Sequence, residues 1–367
     1  MKTLSRLSKG FFYLLLLPAV LVVCGWQGWS WWSWANAPAA SAASAAPSAD
    51  SASANPIRIQ IPEGATAEQI GQDLATAGVI RSLTAWNLWT KLQTLQNREG
   101  SFQAGTYELS PAEPMENIAN QIWQGKVMQS SFTIPEGWSV QQMAEYFAGQ
   151  GYFTEEAFKE AAKQIPRDQH PWLPEAISTL EGFLYPDTYK FAGKLTPELA
   201  ISQMLDRFQE VALPVYEQGK ATSPYSLLEW ATLSSIVEKE AVVSDERPQI
   251  ASVFAKRLRQ GMPLGSDPTV EYVLGIRQTP DQPLTWAQVD TPSPYNTYKN
   301  PGLPPGPIAS PGVASLTASL NPGETEYLYF VARYDGTHVF SKTLAEHEAA
   351  QNSIHDGREA AQPSTSP

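Results

Sequence analysis

The sequence predicts an α+β fold, with helices and antiparallel strands segregated along the chain. Three observations predict it. Residues 61–78 recur at 134–151 without gaps, and each copy reads as strand, Pro-Glu-Gly turn and amphipathic helix. From Thr196 to Gln260 the pattern is helical. Only near the C-terminus does a clear hairpin pattern appear, 326–332 and 337–340 around the turn Asp335-Gly336.

At the N-terminus, Lys2, Arg6 and Lys9 precede an apolar stretch from Phe11 to Gly25, followed by Trp26, Trp29, Trp31, Trp32 and Trp34. Basic residues before and an aromatic belt after predict a transmembrane anchor over 1–34 that starts in the cytoplasm. A cleaved signal peptide ending near Ala35-Asn36-Ala37 is the rival reading. Either one places the rest of the chain outside the cytoplasm. Residues 35–56 are Ala, Ser and Pro with little else, so a disordered tether is expected there.

The first repeat copy opens a small strand–helix–helix–strand region over 57–128. Ile57-Arg-Ile-Gln-Ile61 alternates as a half-buried strand does, Thr66 is the natural N-cap, 102–109 is a second strand and 115–123 a helix. Units of this shape include the LysM type, which binds glycan chains; a structural spacer is the other reading. Residues 129–195 hold the second copy, with Ser139 as N-cap, and a connecting region.

The C-terminal α+β domain is expected over 196–355. Thr196-Pro197-Glu198 starts one helix, Ser223-Pro224 the next, and 246–260 a third. A loop-rich stretch follows Gly261, then the hairpin and a closing helix from Leu344 to about Ile354. Residues 356–367 read as a polar, disordered tail.

Charge and composition exclude several functions. A net charge of −12 offers no basic stripe for nucleic acid. Cys24 is the sole cysteine, so neither a disulfide nor thiol chemistry is expected downstream of it. No metal or cofactor is expected: His347-Glu348 has Gln351 where a zinc-protease motif needs histidine. Ile236 stands three residues before Lys239, where a Ser-x-x-Lys nucleophile would need serine.

What remains is carboxylate chemistry. In the helix 223–240, Leu233, Ile236 and Val237 share one face, and Glu240 falls on it. A carboxyl held against an apolar wall titrates high and can act as a general acid near neutral pH. The alternative is a solvated charge in the last turn. Glu238 falls on the other side and reads as a structural or solvated neighbour. A hydrolysing glycosidase needs a second carboxylate, for which Glu246, Asp267 and Asp187 are candidates. Tyr295-Asn296-Thr297-Tyr298 offers aromatic faces beside amide and hydroxyl groups, as carbohydrate sites do; a loop packed on the core is the other reading.

Several of these segments resemble the membrane-bound endolytic murein transglycosylases, the MltG or YceG-like family. They include Glu181-Gly-Phe-Leu-Tyr-Pro-Asp-Thr-Tyr189, Ser235-Ile-Val-Glu-Lys-Glu240, Met262-Pro-Leu-Gly-Ser-Asp-Pro-Thr-Val270, Ser293-Pro-Tyr-Asn-Thr-Tyr298 and Gly302-Leu-Pro-Pro-Gly-Pro-Ile308. The resemblance spans roughly 57–350. It implies a single-pass membrane protein cleaving MurNAc–GlcNAc β-1,4 bonds of nascent peptidoglycan to leave 1,6-anhydro-MurNAc ends, beside the cell-wall synthases. It implies Glu240 as catalytic acid and then base, and a glycan groove lined by Asp267, Tyr295, Asn296 and Tyr298. A hydrolase and a non-catalytic glycan-binding scaffold remain as alternatives. The chain departs from the family at Gly265, where a polar residue is usual, and in its tether and tryptophan cluster.

Overall fold

A computed structural model describes residues 17–40, 55–95, 101–279, 282–333 and 335–361. The chain divides into two units, 1–130 with 190–194, and 131–189 with 195–367.

In the first unit, helix α1 is Leu17–Asn36. Its end is fastened to the unit: Ala35 is fully buried, Trp32 packs on the same core, and the Asn36 side chain accepts the Glu116 N–H at 2.9 Å. Trp26, Trp29 and Trp34 are exposed. Among the described residues no helix is long and apolar enough to cross a membrane. The expected span starts at Phe11, and its first part, within 1–16, lies outside the described residues; in the part that is described, Gln27, Ser30 and Ser33 interrupt the apolar run. Of the expected tether, 41–54 lies outside them too, and the Ala40 N–H donates to Pro111 O at 2.9 Å.

Strand β1 (Ile57–Ile61), helix α2 (Ala67–Thr76), helix α3 (Leu83–Leu95) and strand β2 (Gly105–Leu109) follow, then helix α4 (Met115–Trp123). The strands pair antiparallel, with Ile57 opposite Leu109 and Ile61 opposite Gly105. Ile70, Leu74, Trp86, Tyr107 and Ile118 fill the core, and the Trp86 indole N–H donates to Ala67 O at 2.6 Å. The strand–helix–helix–strand order is present; the LysM likeness goes no further than this order.

The second copy repeats that order. Strand β3 (Gln129–Thr133), helix α5 (Val140–Gly149), helix α6 (Glu155–Ala161) and strand β4 (Thr188–Ala192) form it, with β3 and β4 paired. Both copies start their helix with a full capping box, Thr66 with Gln69 and Ser139 with Gln142. Their Pro-Glu-Gly turns both place glycine at positive φ, 77° at Gly64 and 76° at Gly137.

The second unit continues with α7 (Pro197–Gly219), α8 (Leu227–Glu240), a 3-10 turn (Ser244–Glu246), α9 (Arg247–Arg259), α10 (Asp267–Leu274), α11 (Trp286–Val289), α12 (Val313–Leu320), the hairpin β5 (Tyr329–Ala332) and β6 (His338–Ser341), and α13 (Leu344–Ala361). Helix α8 is central and packs against α9, α10 and α12. Leu233, Ile236, Val237, Ile250, Phe254, Leu264 and Ile308 form the core around it. Two expectations need correction. The N-cap of α8 is Ser226, three residues later than expected, because Ser226 and Glu229 make a capping box there and Ser223 does not. The closing helix runs on to Ala361, through the start of the expected tail.

Candidate active site

Helix α8 is buried on every side from Trp230 to Val237 because its outward positions are Ala, Ser and Thr, small enough for close neighbours. Their hydroxyls are satisfied on the helix itself, as when Ser234 donates to Trp230 O at 2.7 Å. The helix stops at Ala241, which is extended, so Glu240 is its last residue. The Glu240 carboxyl is half-buried at this end. Ser266 donates to it at 2.6 Å. Loss of water around the carboxyl is the main cause raising its pKa, to about 7; the Ser266 hydroxyl and Arg257 pull it down, and Asp267 and Glu271 push it up.

Ser266 is held in turn. It is buried, and its N–H donates to Thr297 Oγ1 at 2.9 Å, while the Thr269 and Thr297 hydroxyls share a 2.9 Å hydrogen bond. Gly265 N–H donates to Thr297 O at 3.1 Å. The Tyr295–Tyr298 loop is thereby clamped onto the segment that carries Ser266 and Asp267. Gly265 has φ +58°, which explains the departure at this position: the left-handed backbone favours glycine, and a Cβ would lie 3.5 Å from the Tyr298 ring and 3.6 Å from Arg257 Nη1.

Arg257 is fixed on three sides. Its Nε donates to Leu328 O and its Nη1 to Leu264 O, both at 2.6 Å, and it lies over the Tyr329 ring at 5.1 Å. It supplies a fixed positive charge toward Glu240.

The candidate groove residues divide. Tyr298 is 41% exposed and donates to Asp267 Oδ1 at 2.6 Å, and Gln278 holds the other oxygen at 2.9 Å. These two stand beside Glu240. Tyr295 is half-buried, its ring 5.2 Å from that of Tyr272. Asn296 is buried, and its amide donates to Val289 O at 2.8 Å and Thr291 O at 2.7 Å. It shapes the loop from beneath.

The other carboxylates are engaged elsewhere. Glu246 accepts from His338 Nδ1 at 2.7 Å, and Asp187 from Arg207 Nε at 2.7 Å. Glu238 is structural: Arg247 Nη2 donates to it at 3.2 Å and the Gly312 N–H at 3.0 Å. Sequence reasoning missed Glu181. It is buried, accepts the Val140 N–H at the start of α5 at 3.1 Å and the Tyr272 hydroxyl at 3.2 Å, and burial pushes its pKa to about 7. It also missed Arg257, and Ser266, though the latter stands in the Met262–Val270 segment that carries the family resemblance. Among the described residues no three His, Cys, Asp or Glu side chains gather at a metal position.

Fold and site together define an α+β protein built around one buried-helix carboxyl poised for proton transfer near neutral pH. The YceG-like family profile matches residues 59–353, and the chain belongs to that family. It is 32% identical over 320 residues to the endolytic murein transglycosylase of Bacillus subtilis (strain 168), covering 82% of this chain and 85% of that one. It is 30% identical over 322 residues to the endolytic murein transglycosylase of Streptococcus pneumoniae serotype 2, covering 80% of this chain and 57% of that one. A 2.6 Å crystal structure of a YceG-like protein from Listeria monocytogenes superposes with a TM-score of 0.54 at 34% identity, covering 81% of this chain and all of that one.

Proposed function

We propose that this protein is a lytic transglycosylase that cuts within peptidoglycan glycan strands. Glu240 carries the reading: a single carboxyl, bonded by Ser266 and with its pKa raised by burial to about 7, can serve first as acid and then as base. In the first step Glu240 gives its proton to the β-1,4 oxygen linking MurNAc to GlcNAc. The C1–O bond breaks, and GlcNAc leaves with a free 4-hydroxyl. Positive charge at MurNAc C1 faces the carboxylate. In the second step the carboxylate takes the proton of the same sugar's C6 hydroxyl, whose oxygen closes on C1. The product is a 1,6-anhydro-MurNAc end, and Glu240 is again protonated. Neither water nor a second carboxylate enters. Ser266 stabilises the ionised state between the steps, and Tyr298 with Asp267 lines the approach.

The names of the Bacillus and Streptococcus relatives support this reading. The proposal includes membrane attachment through 1–34, with the catalytic part on the extracytoplasmic side, close to the cell-wall synthases and able to end the elongation of nascent strands. The basic start at Lys2, Arg6 and Lys9 supports that orientation.

One observation favours a second reading. Asp267 lies within electrostatic reach of Glu240, as the base of a hydrolase would. Mass spectrometry of digested sacculi separates the two. Anhydro ends support the transglycosylase, and reducing ends from the wild-type protein overturn it. Glu240→Gln is expected to abolish product release; equal release by variant and wild type overturns the role of Glu240, and no release by either leaves only a glycan-binding scaffold.

A further inference from the structure

Trp286 opens helix α11 with 90% of its surface exposed. Tryptophan carries a large apolar surface, and leaving it in water forfeits the stabilisation that burial brings. The segment beneath it is nevertheless well fixed. Thr285 caps the helix, and Gln288 completes a capping box. The Asn296 amide grips Val289 O and Thr291 O from below, and Lys299 pairs with Asp290. Such tethering is surplus to the needs of a four-residue helix with no buried side chain. It fixes the backbone that carries the indole.

Its position is set by the active site. Asn296 belongs to the loop that carries Tyr298, and α11 packs against α10, which starts at Asp267. α10 is about 12 Å long at 1.5 Å per residue, so α11 stands within a few sugar rings of Glu240. Around Trp286 stand Thr285, Ala287, Gln288 and Asp290; Thr285 bonds Gln288 in the capping box and Asp290 pairs with Lys299, which leaves the Gln288 amide N–H groups and the second Asp290 oxygen to a ligand. A docking site for a protein would offer a contiguous apolar patch. One flat aromatic face among amides and hydroxyls instead suits a pyranose, which has an apolar C–H face and a hydroxyl rim.

We propose that Trp286 is a stacking platform for a sugar ring of the glycan strand, at a subsite away from the bond that is cut. The ligand class rests on the proposed function; the platform itself rests on exposure and tethering. It would make the protein prefer strands long enough to reach from Glu240 to α11.

The test measures binding of soluble, uncrosslinked glycan strands to the full chain carrying Glu240→Gln, alone and combined with Trp286→Ala or Trp286→Phe. Truncating a central tryptophan contact typically weakens binding by about 5- to 30-fold, and that loss is expected for Ala, with Phe recovering most of it. In the otherwise wild-type chain, Trp286→Ala is expected to raise KM for long strands more than for short fragments. Unchanged binding and an unchanged length dependence in Trp286→Ala overturn the platform. If Glu240→Gln still cleaves, the proposed function fails instead, and the binding comparison still decides the platform. Because Trp286 has no packing to lose, the melting temperature should stay the same in both variants.

Discussion

At the residue scale the proposed chemistry depends on how Glu240 is held in two charge states. Ser266 bonds the ionised form and does most to draw the pKa back down after burial has raised it. Ser266→Ala should therefore move the alkaline limb of the kcat/KM profile to higher pH, since the carboxyl keeps its proton longer. It should also slow the step that needs the carboxylate, by roughly ten-fold for the loss of a hydrogen bond to a charged group. A pH–rate profile checks both; a limb moving to lower pH would contradict the assignment. Glu181 makes a second prediction. Its folded pKa, about 7, lies above the ordinary 4.5, so the neutral form is favoured by folding. Its contribution is fully present below pH 4.5 and is lost as pH rises through 7. Glu240 has the same sign. Stability should fall between pH 5 and 8, and Glu181→Gln should flatten that fall by up to about 3 kcal/mol. Denaturant melts across this range provide the measurement.

At the element scale much of the fold was legible in the sequence, for identifiable reasons. Local chemistry was readable: Thr66, Ser139 and Thr196 cap helices as their sequences predict, because capping uses neighbours three residues away. Glu240 was readable because helical spacing alone puts it beside Ile236 and Val237. Long-range choices were not. Nothing local tells that Arg247 comes from another helix to bury Glu238, whereas the start of α8 was locally written, in the Ser226–Glu229 capping box, and was overlooked in favour of Ser223-Pro224. Asn296 looked like a groove residue because amides suit sugars, yet the loop uses both its N–H bonds internally. Ser266 and Glu181 acquire meaning only when the end of α8 and the start of α5 are brought to them. The Glu181-Gly182 turn gives an element-scale prediction. Gly182 has φ +80°, and a Cβ there would lie 2.3 Å from Pro307, which locks this turn to the Gly302–Ile308 loop. Gly182→Ala should cost roughly 2–4 kcal/mol, combining backbone strain with overpacking. Gly64→Ala, at φ +77° with open space around it, should cost about 1 kcal/mol. Thermal melts of the two variants make the comparison.

At the scale of the whole molecule, charge sets how the protein meets its substrate. The chain carries −12 at neutral pH. Peptidoglycan stem peptides are rich in carboxylates, so the long-range field opposes encounter, and recognition must come from short-range contacts. Tyr298, Trp286 and the clamped loop around Ser266 are of that kind: aromatic faces and hydroxyls that act within a few ångströms. Salt screens long-range fields over about 8–10 Å near physiological ionic strength but barely touches stacking and hydrogen bonds. Cleavage of uncrosslinked strands should therefore hold steady or rise modestly as salt increases from roughly 20 to 200 mM, the range over which polyanion binders held by lysine and arginine lose orders of magnitude in affinity. Steady-state kcat/KM against ionic strength measures it directly. A steep fall would mean that a cationic surface captures the strand, and the roles given to Tyr298 and Trp286 would then be secondary.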